Sequence, residues 1–543
     1  MRIHVKNFFI IGLSLFTIAC GGGAGDETSS VAEDTISTSD ENNPVGTDSQ
    51  DTPVKTESPV LEPPVQMSTP GTVSGFVDSS LIRRTGKNQV YIFSGNVVPD
   101  DIDGEGIEPL ATLNVQQVSG SCNWIYSSEK LAPGTYTVAF TNQAEIDTPS
   151  GNETLDFIQT EKITIQESIQ TTKTFVATNI VRVGPSRTYQ TLSAASKAIS
   201  SGSTVLIDAG IYEDDISVWR QNNITLRAVG GLAHFRATNV IQYTPGNDQE
   251  NGMGIWVFKG SNITAENIKF TNARVPVSAG ANGAGIRIEG SNITVCNCTF
   301  ENNENGILGV GNNLLIEYSE FNNNGLGEKG RTHNIYIVDG TKFTFQYSYS
   351  HHAFAGHNLK SRAEETYILY SRLMDEETGQ SSYIIDIPNG GKTYLVGNII
   401  QQGPIDGNNT IISYGAEGLK NPSSELYLAN NTIVNDRSSG RFVYVNSKTS
   451  NTRFVNNIFL GSGSTGVSDM RSNLKTTNSS ILIDRLGYDY HLSKSATDAI
   501  NMGTDPGVAS GQSLTPVYEY THPQNRTVRT TDKNIDIGAY EYQ

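Results

Sequence analysis

The sequence predicts an all-β chain, a right-handed parallel β-helix preceded by a small β-sandwich, and three observations carry that reading. Only 36% of the residues are hydrophobic while 53 are Gly, a composition suited to turn-rich strands rather than to a helical bundle. From Ile180 onward short apolar segments recur, with unit ends at Phe270, Phe300, Phe321, Ser350, Leu373, Ile400, Ile433 and Phe459. These ends lie 30, 21, 29, 23, 27, 33 and 26 residues apart, the period of a β-solenoid whose coils bury one another's apolar faces. Three residues before each end stands Asn267, Asn297, Tyr318, Tyr347, Tyr370, Gly397, Asn430 or Asn456. Side-chain amides and rings at one repeated position can stack along a coil axis and satisfy turn backbone groups.

The chain opens with Arg2 and Lys6 and an apolar run from Phe8 to Ala19, of signal-peptide length and short for a membrane span. It ends in Thr17-Ile18-Ala19-Cys20 followed by three glycines, which resembles a bacterial lipobox, with Thr17 where such boxes usually carry Leu. The resemblance implies residues 1–20 as a lipoprotein signal, a lipid on Cys20 as the membrane contact, and a place on the outer membrane or surface of a Gram-negative cell. Residues 21–70 hold ten acidic residues, one Lys and six Pro. Such a stretch cannot offset its ordering entropy by burial and reads as an extended, disordered tether. It also carries half of the formal net charge of −18. The rest is mildly acidic, which argues against a nucleic-acid partner.

Residues 71–179 alternate in short segments, such as Val90-Tyr91-Ile92-Phe93 and Thr135 to Phe140, the pattern of an antiparallel sandwich. Leu131-Ala132-Pro133-Gly134-Thr135-Tyr136-Thr137-Val138 resembles a hairpin of carboxypeptidase-regulatory-like domains, which implies an accessory role as a spacer or a carbohydrate-binding module.

Residues 180–543 form the expected β-helix. Arg187 to Leu192, a short Ala-rich helix to Ile199, then Thr204 to Ile207 and Gly210 to Tyr212 resemble the capping helix and first coil of the pectate-lyase-like superfamily, as the Asn and aromatic ladder does. Asp536 to Glu541 resembles a tail of secreted bacterial β-helix proteins. Of the four cysteines, Cys296 and Cys298 flank Asn297 and are expected as two small buried thiols on one strand face, with no disulfide framework.

Titratable residues concentrate on a few coils. His333, His351, His352 and His357 are four of the chain's eight His, and Lys360 and Arg362 follow at once. Tyr383 to Gly391 and Tyr414 to Glu417 come one and two coils later. Side chains at one coil position are only ~4.8 Å apart along the axis. Tyr336, Lys360, Asp386 and the segment at Tyr414 are therefore expected on one face, where they can bind a polymer across the strands. His351 and His352 are expected at a surface turn.

The segment Asn358-Leu359-Lys360-Ser361, with Tyr370 to Asp375 and Gly397-Asn398 after it, resembles the chondroitinase B and alginate lyase group. There a Lys on such a strand is the base for β-elimination from a uronate. The resemblance implies Lys360 as base. The Arg-His-Gly motif of the next coil is missing, Ile387-Pro388-Asn389-Gly390 standing in its place, and Arg362 is the candidate substitute. The expected catalytic set is Lys360, Arg362, His357, His333 and Tyr383. Tyr336, Asn389, Tyr414 and Arg287 are expected to touch substrate, and Asp386 and Glu417 to hold Ca²⁺, as acidic residues do in that group. The expected function is a polysaccharide lyase on an acidic polysaccharide, acting as a monomer. A uronate epimerase, and a non-catalytic adhesin or polysaccharide-binding solenoid, stay open beside it. An inverting hydrolase needs two flanking carboxylates that the sequence does not display as a pair.

Overall fold

The computed structural model describes residues 69–543 except 84–85, 99–107, 129, 144–145, 148–152, 155–156, 243–251, 327–330, 406 and 467–471. The expected signal segment, Cys20 and nearly all of the expected tether lie outside the described residues.

Two four-stranded sheets come first. Thr72–Val77 pairs with Trp124–Ser127 and Gln170–Thr172, and Gln89–Ser94 with Ala111–Asn114 and Gly134–Thr141. Alternate residues of both sheets, among them Val73, Val90, Ile92, Val138 and Phe140, make a core of their own. The Pro133-Gly134 turn is held from within, since Tyr136 O–H donates to the Ala132 carbonyl at 2.7 Å.

Residues 180–476, and not the expected 180–543, make one right-handed parallel β-helix; the strands after Thr476 pair antiparallel in twos. Twenty-seven strands, from Ile180–Val183 to Leu474–Thr476, join in a continuous parallel network. The helix Leu192–Ala198 closes its first coil. Its Thr191 side chain accepts from Ala194 N–H, and Asp215 accepts the Leu192 and Ser193 amides at 2.6 and 2.9 Å, which satisfies donors that a helix start leaves open. Inside, register partners stack: Phe270 on Phe300 at 5.2 Å and Phe300 on Phe321 at 4.6 Å.

The repeated Asn, Tyr and Gly position is the bend between two strands of a coil, and every copy has positive φ, from 46° at Tyr370 to 68° at Gly397. Asn tolerates this conformation. Tyr318, Tyr347 and Tyr370 accept it and stack at 5.2 and 5.7 Å. Gly397 is a glycine for a second reason: a Cβ there would lie 2.7 Å from the Tyr370 ring. One residue further on, a buried ladder runs Asn398, Asn431, Asn457, Asn473, each side-chain amide donating to the next at 2.8–2.9 Å.

The C-terminal segment folds back along the coils. Arg526 lies 4.4 Å over Tyr347 and 4.1 Å over Tyr518, and Arg529 and Glu541 form a buried ion pair at 2.6 Å.

Two more expectations are corrected. Cys296 is not a thiol: it forms a disulfide with Cys122, joining the sandwich to the fourth coil region across 174 residues. Cys296 and Cys298 do not share a face, because Asn297 is the left-handed bend between their strands. Cys298 is free and buried in the interior. His351 and His352 do stand at a turn, His352 in a left-handed bend with φ 51°, but that turn is not on the surface. His351 is 8% exposed on the strand Tyr349–His351, and His352 is half-buried beside it.

Candidate active site

The strands of one face put a column of outward positions in strict register. Arg287 pairs with Leu308, Leu308 with Tyr336, Tyr336 with Lys360, Lys360 with Asp386, and Asp386 with Ser413. In a parallel stack such partners are one strand spacing apart. Arg362 and Asn389 belong to the same face, two residues beyond Lys360 and three beyond Asp386.

At the centre is an ion cluster. Lys360 Nζ lies 3.1 Å from Asp386 Oδ2 and 3.3 Å from Glu417 Oε1. Arg362 spends its whole fork. Nε donates to Tyr336 Oη at 3.0 Å, Nη1 to Asn389 Oδ1 at 2.7 Å, and Nη2 to Glu417 Oε2 and Oε1 at 2.8 and 3.0 Å. Lys360 Nζ also faces the Tyr336 ring, 5.5 Å from its centroid. Lys360 and Asp386 are buried, at 7% and 3% exposure, whereas the Glu417 side chain is 46% exposed and lies outermost.

The loop that carries Glu417 is fixed at its root. Glu417 N–H donates to Pro388 O at 3.1 Å, and Asn421 Nδ2 donates to the Ala363 and Gly390 carbonyls at 2.9 and 2.8 Å. Asn421 was not among the expected site residues. Only its place just after the Gly-rich turn marks it in the sequence.

Burial pushes the Asp386 carboxyl up from its usual value, against the opposing pull of Lys360, and Asp386 Oδ1 makes no hydrogen bond. For Glu417 burial also pushes up, but the hydrogen bond from Arg362 and the charges of Lys360 and Arg362 hold its carboxyl low.

The histidines serve the coil. His333 Nδ1 accepts the His357 amide at 3.0 Å, and His357 Nδ1 accepts the Tyr383 amide at 3.1 Å. The two rings stack at 4.7 Å, and Tyr383 packs against His357 at 5.1 Å. An Nδ1 that accepts leaves the proton on Nε2, so both rings are neutral. Burial lowers both, His357 to about 3, with Lys360 and Arg362 adding to the effect. His333, at 1% exposure, lies beneath the open face, its ring edge-on to Tyr336 at 4.9 Å. His357 Nε2 faces Asp386 Oδ2 at 3.5 Å.

Tyr414 is corrected as well. Asp386 pairs with Ser413, so Tyr414 is the register partner of Ile387 and points inward. It is fully buried, and its O–H donates to Gly391 O at 2.6 Å. Arg287 is on the face but three register steps from Lys360, with its Nε 3.5 Å from Glu289. The Lys360 ammonium lies between Asp386 and Glu417, the two carboxylates expected to hold calcium. Among the described residues no three His, Cys, Asp or Glu side chains come together as a metal site.

No family of known proteins and no curated protein matches the chain. Among solved structures it is similar to pectate lyase Pel9A at 16% identity, covering 68% of this chain and 97% of that one with a TM-score of 0.47. It is similar to an alginate lyase, AlyF-OU02, at 17% identity, covering 60% of this chain and 66% of that one with a TM-score of 0.30. A Family 28 exopolygalacturonase from Yersinia enterocolitica matches at 11% identity over 73% of this chain and 79% of that one, with a TM-score of 0.30. At such identities the likeness concerns the coiled architecture and assigns no activity.

Proposed function

We propose that this face binds the carboxylate of a uronate in an acidic polysaccharide and cleaves the chain by β-elimination. One observation carries the reading: Lys360 and Arg362, with Tyr336 and Asn389 behind them, already converge on a carboxylate, that of Glu417. A substrate carboxylate replaces Glu417 on the same donors. Arg362 then neutralises it, which acidifies the C5 proton.

In this mechanism Lys360 passes a proton to Asp386, whose burial favours the neutral acid. The free amine takes the C5 proton, the C4–C5 double bond forms, and the C4–O4 bond breaks. The Tyr336 hydroxyl, held by Arg362 Nε at 3.0 Å, protonates O4 and regains its proton from the Lys360 ammonium through an intervening water. Asp386 then returns its proton to the Lys360 amine 3.1 Å away, which restores the starting charges, while the C5 proton has passed by way of Lys360 and Tyr336 to O4. Calcium has no part, since Lys360 and Arg362 supply the positive charge.

A second reading has an observation of its own. Asp386 and Glu417 contact one ammonium and are pushed in opposite directions, up and down. That is the pattern of a glycosidase acid and its partner carboxylate. Product analysis separates the two: elimination leaves an unsaturated sugar that absorbs in the ultraviolet, and hydrolysis leaves new reducing ends without that absorbance. Binding of polyuronates with neither product supports a non-catalytic binding protein. The lipid anchor at Cys20 places this activity at a cell surface in our reading, and globomycin-sensitive processing with loss on Cys20→Ser tests it.

A further inference from the structure

A depression of about 290 Å³ lies on the same face, on the coils before the ion cluster. Arg287, Leu308, Val310, Arg331, Tyr336 and Val338 line it. Tyr336 belongs to both places, since one side of it walls the depression and its hydroxyl accepts from Arg362. The two places thus adjoin at Tyr336. Arg287, Leu308, Tyr336 and Lys360 are successive register partners, so Arg287 lies three strand steps, ~14 Å, from Lys360 along the axis.

The chemistry of the depression differs from that of the cluster. Leu308 is an apolar floor on the outward side of the sheet, and Val338 stands 37% exposed at its wall. Arg287 stands at the edge with its side chain 24% exposed, its Nε 3.5 Å from Glu289, which also lines the depression. An apolar floor beside a guanidinium accepts the C–H face of a pyranose with a carboxylate at its rim. A purely apolar partner has no use for the partly exposed guanidinium, and a purely ionic one has no use for the floor.

We infer that this depression is a second sugar subsite, holding another uronate residue of the same polymer through Leu308, Val338 and Arg287, three coils from the reacting bond. The inference rests on the proposed function of the Lys360 cluster. It makes the protein a reader of chain length: a disaccharide seated at Lys360 is too short to reach Arg287, and a longer oligosaccharide spans both.

The test is calorimetric binding of uronate di- to octasaccharides to the full chain, as wild type, Arg287→Ala and Val338→Asp. Wild-type affinity is expected to rise in a step at the length that spans both places. Each variant is expected to lose that step, about tenfold for the longest oligomers, while disaccharide affinity stays unchanged. A step that survives both substitutions, or a loss equal at every length, overturns the subsite and leaves the Lys360 reading standing. Absence of binding at any length in the wild type overturns both.

Discussion

His357 Nδ1 accepts the Tyr383 amide proton at 3.1 Å, and its Nε2 faces Asp386 Oδ2 at 3.5 Å. One ring thus links the backbone of the next coil to the buried carboxylate beside Lys360. The arrangement requires a neutral imidazole, and the depressed value of about 3 agrees with it. In the unfolded chain a His titrates near 6.5. Between these values the unfolded state binds a proton that the folded state refuses, so stability is full above about pH 6.5 and falls as pH drops toward 3.

Urea titrations across that window are expected to lose ~1.4 kcal/mol per pH unit for each such ring. His333 is lowered by the same causes and adds to the slope. His357→Gln is expected to flatten it by about one ring's share. An unchanged slope in the variant contradicts the neutral-ring assignment.

In the proposed function Glu417 competes with a substrate carboxylate for Lys360 and Arg362. Its side chain is 46% exposed, so the contacts it makes are worth at most ~1 kcal/mol. Glu417→Gln is expected to tighten polyuronate binding by about fivefold, read by calorimetry at low ionic strength. Weaker binding in the variant would mean that Glu417 contacts the sugar instead of yielding to it.

Calcium and chelators are expected to leave uronate affinity unaltered, because the Lys360 ammonium fills the space between Asp386 and Glu417. A calcium-dependent gain in affinity that Asp386→Asn removes would reverse this.

Tyr414→Phe removes one buried hydrogen bond, to Gly391 O, and is expected to lower stability by ~1 kcal/mol with uronate affinity unchanged. A loss of affinity without a loss of stability would return Tyr414 to the binding face.

The Cys122–Cys296 bond closes a very long loop. Cys122→Ser is expected to lower unfolding stability by ~2–4 kcal/mol, read from denaturant midpoints. No change, with the wild type shown oxidised by mass, would mean that the sandwich and the coils hold together without it.

The coils were legible because their period is long and their bend demands one backbone conformation. Asn267, Asn297, Asn430 and Asn456 mark it, and the tyrosines between them occupy the same left-handed position. The column Tyr336, Lys360, Asp386 was legible from spacing alone, since each step is one coil. Tyr414 was misread because a face assignment inverts with a slip of one residue, and Ser413, with little character of its own, is the true register partner of Asp386. The disulfide was hidden because Cys122 lies in another domain, and nothing local points from one cysteine to the other. Leu308 carried a signal that was passed over: Ile307-Leu308 puts two apolar residues in succession on a strand, and so one of them faces out.

The central claim is that Lys360 removes a proton from a bound uronate. The most direct measurement follows the ultraviolet absorbance of unsaturated product from a panel of polyuronates, with wild type and Lys360→Ala side by side. Product is expected from at least one polymer, with a loss of about a hundredfold or more in the variant and binding of that polymer retained. Full activity in Lys360→Ala, or cleavage that yields reducing ends without unsaturation, would contradict it.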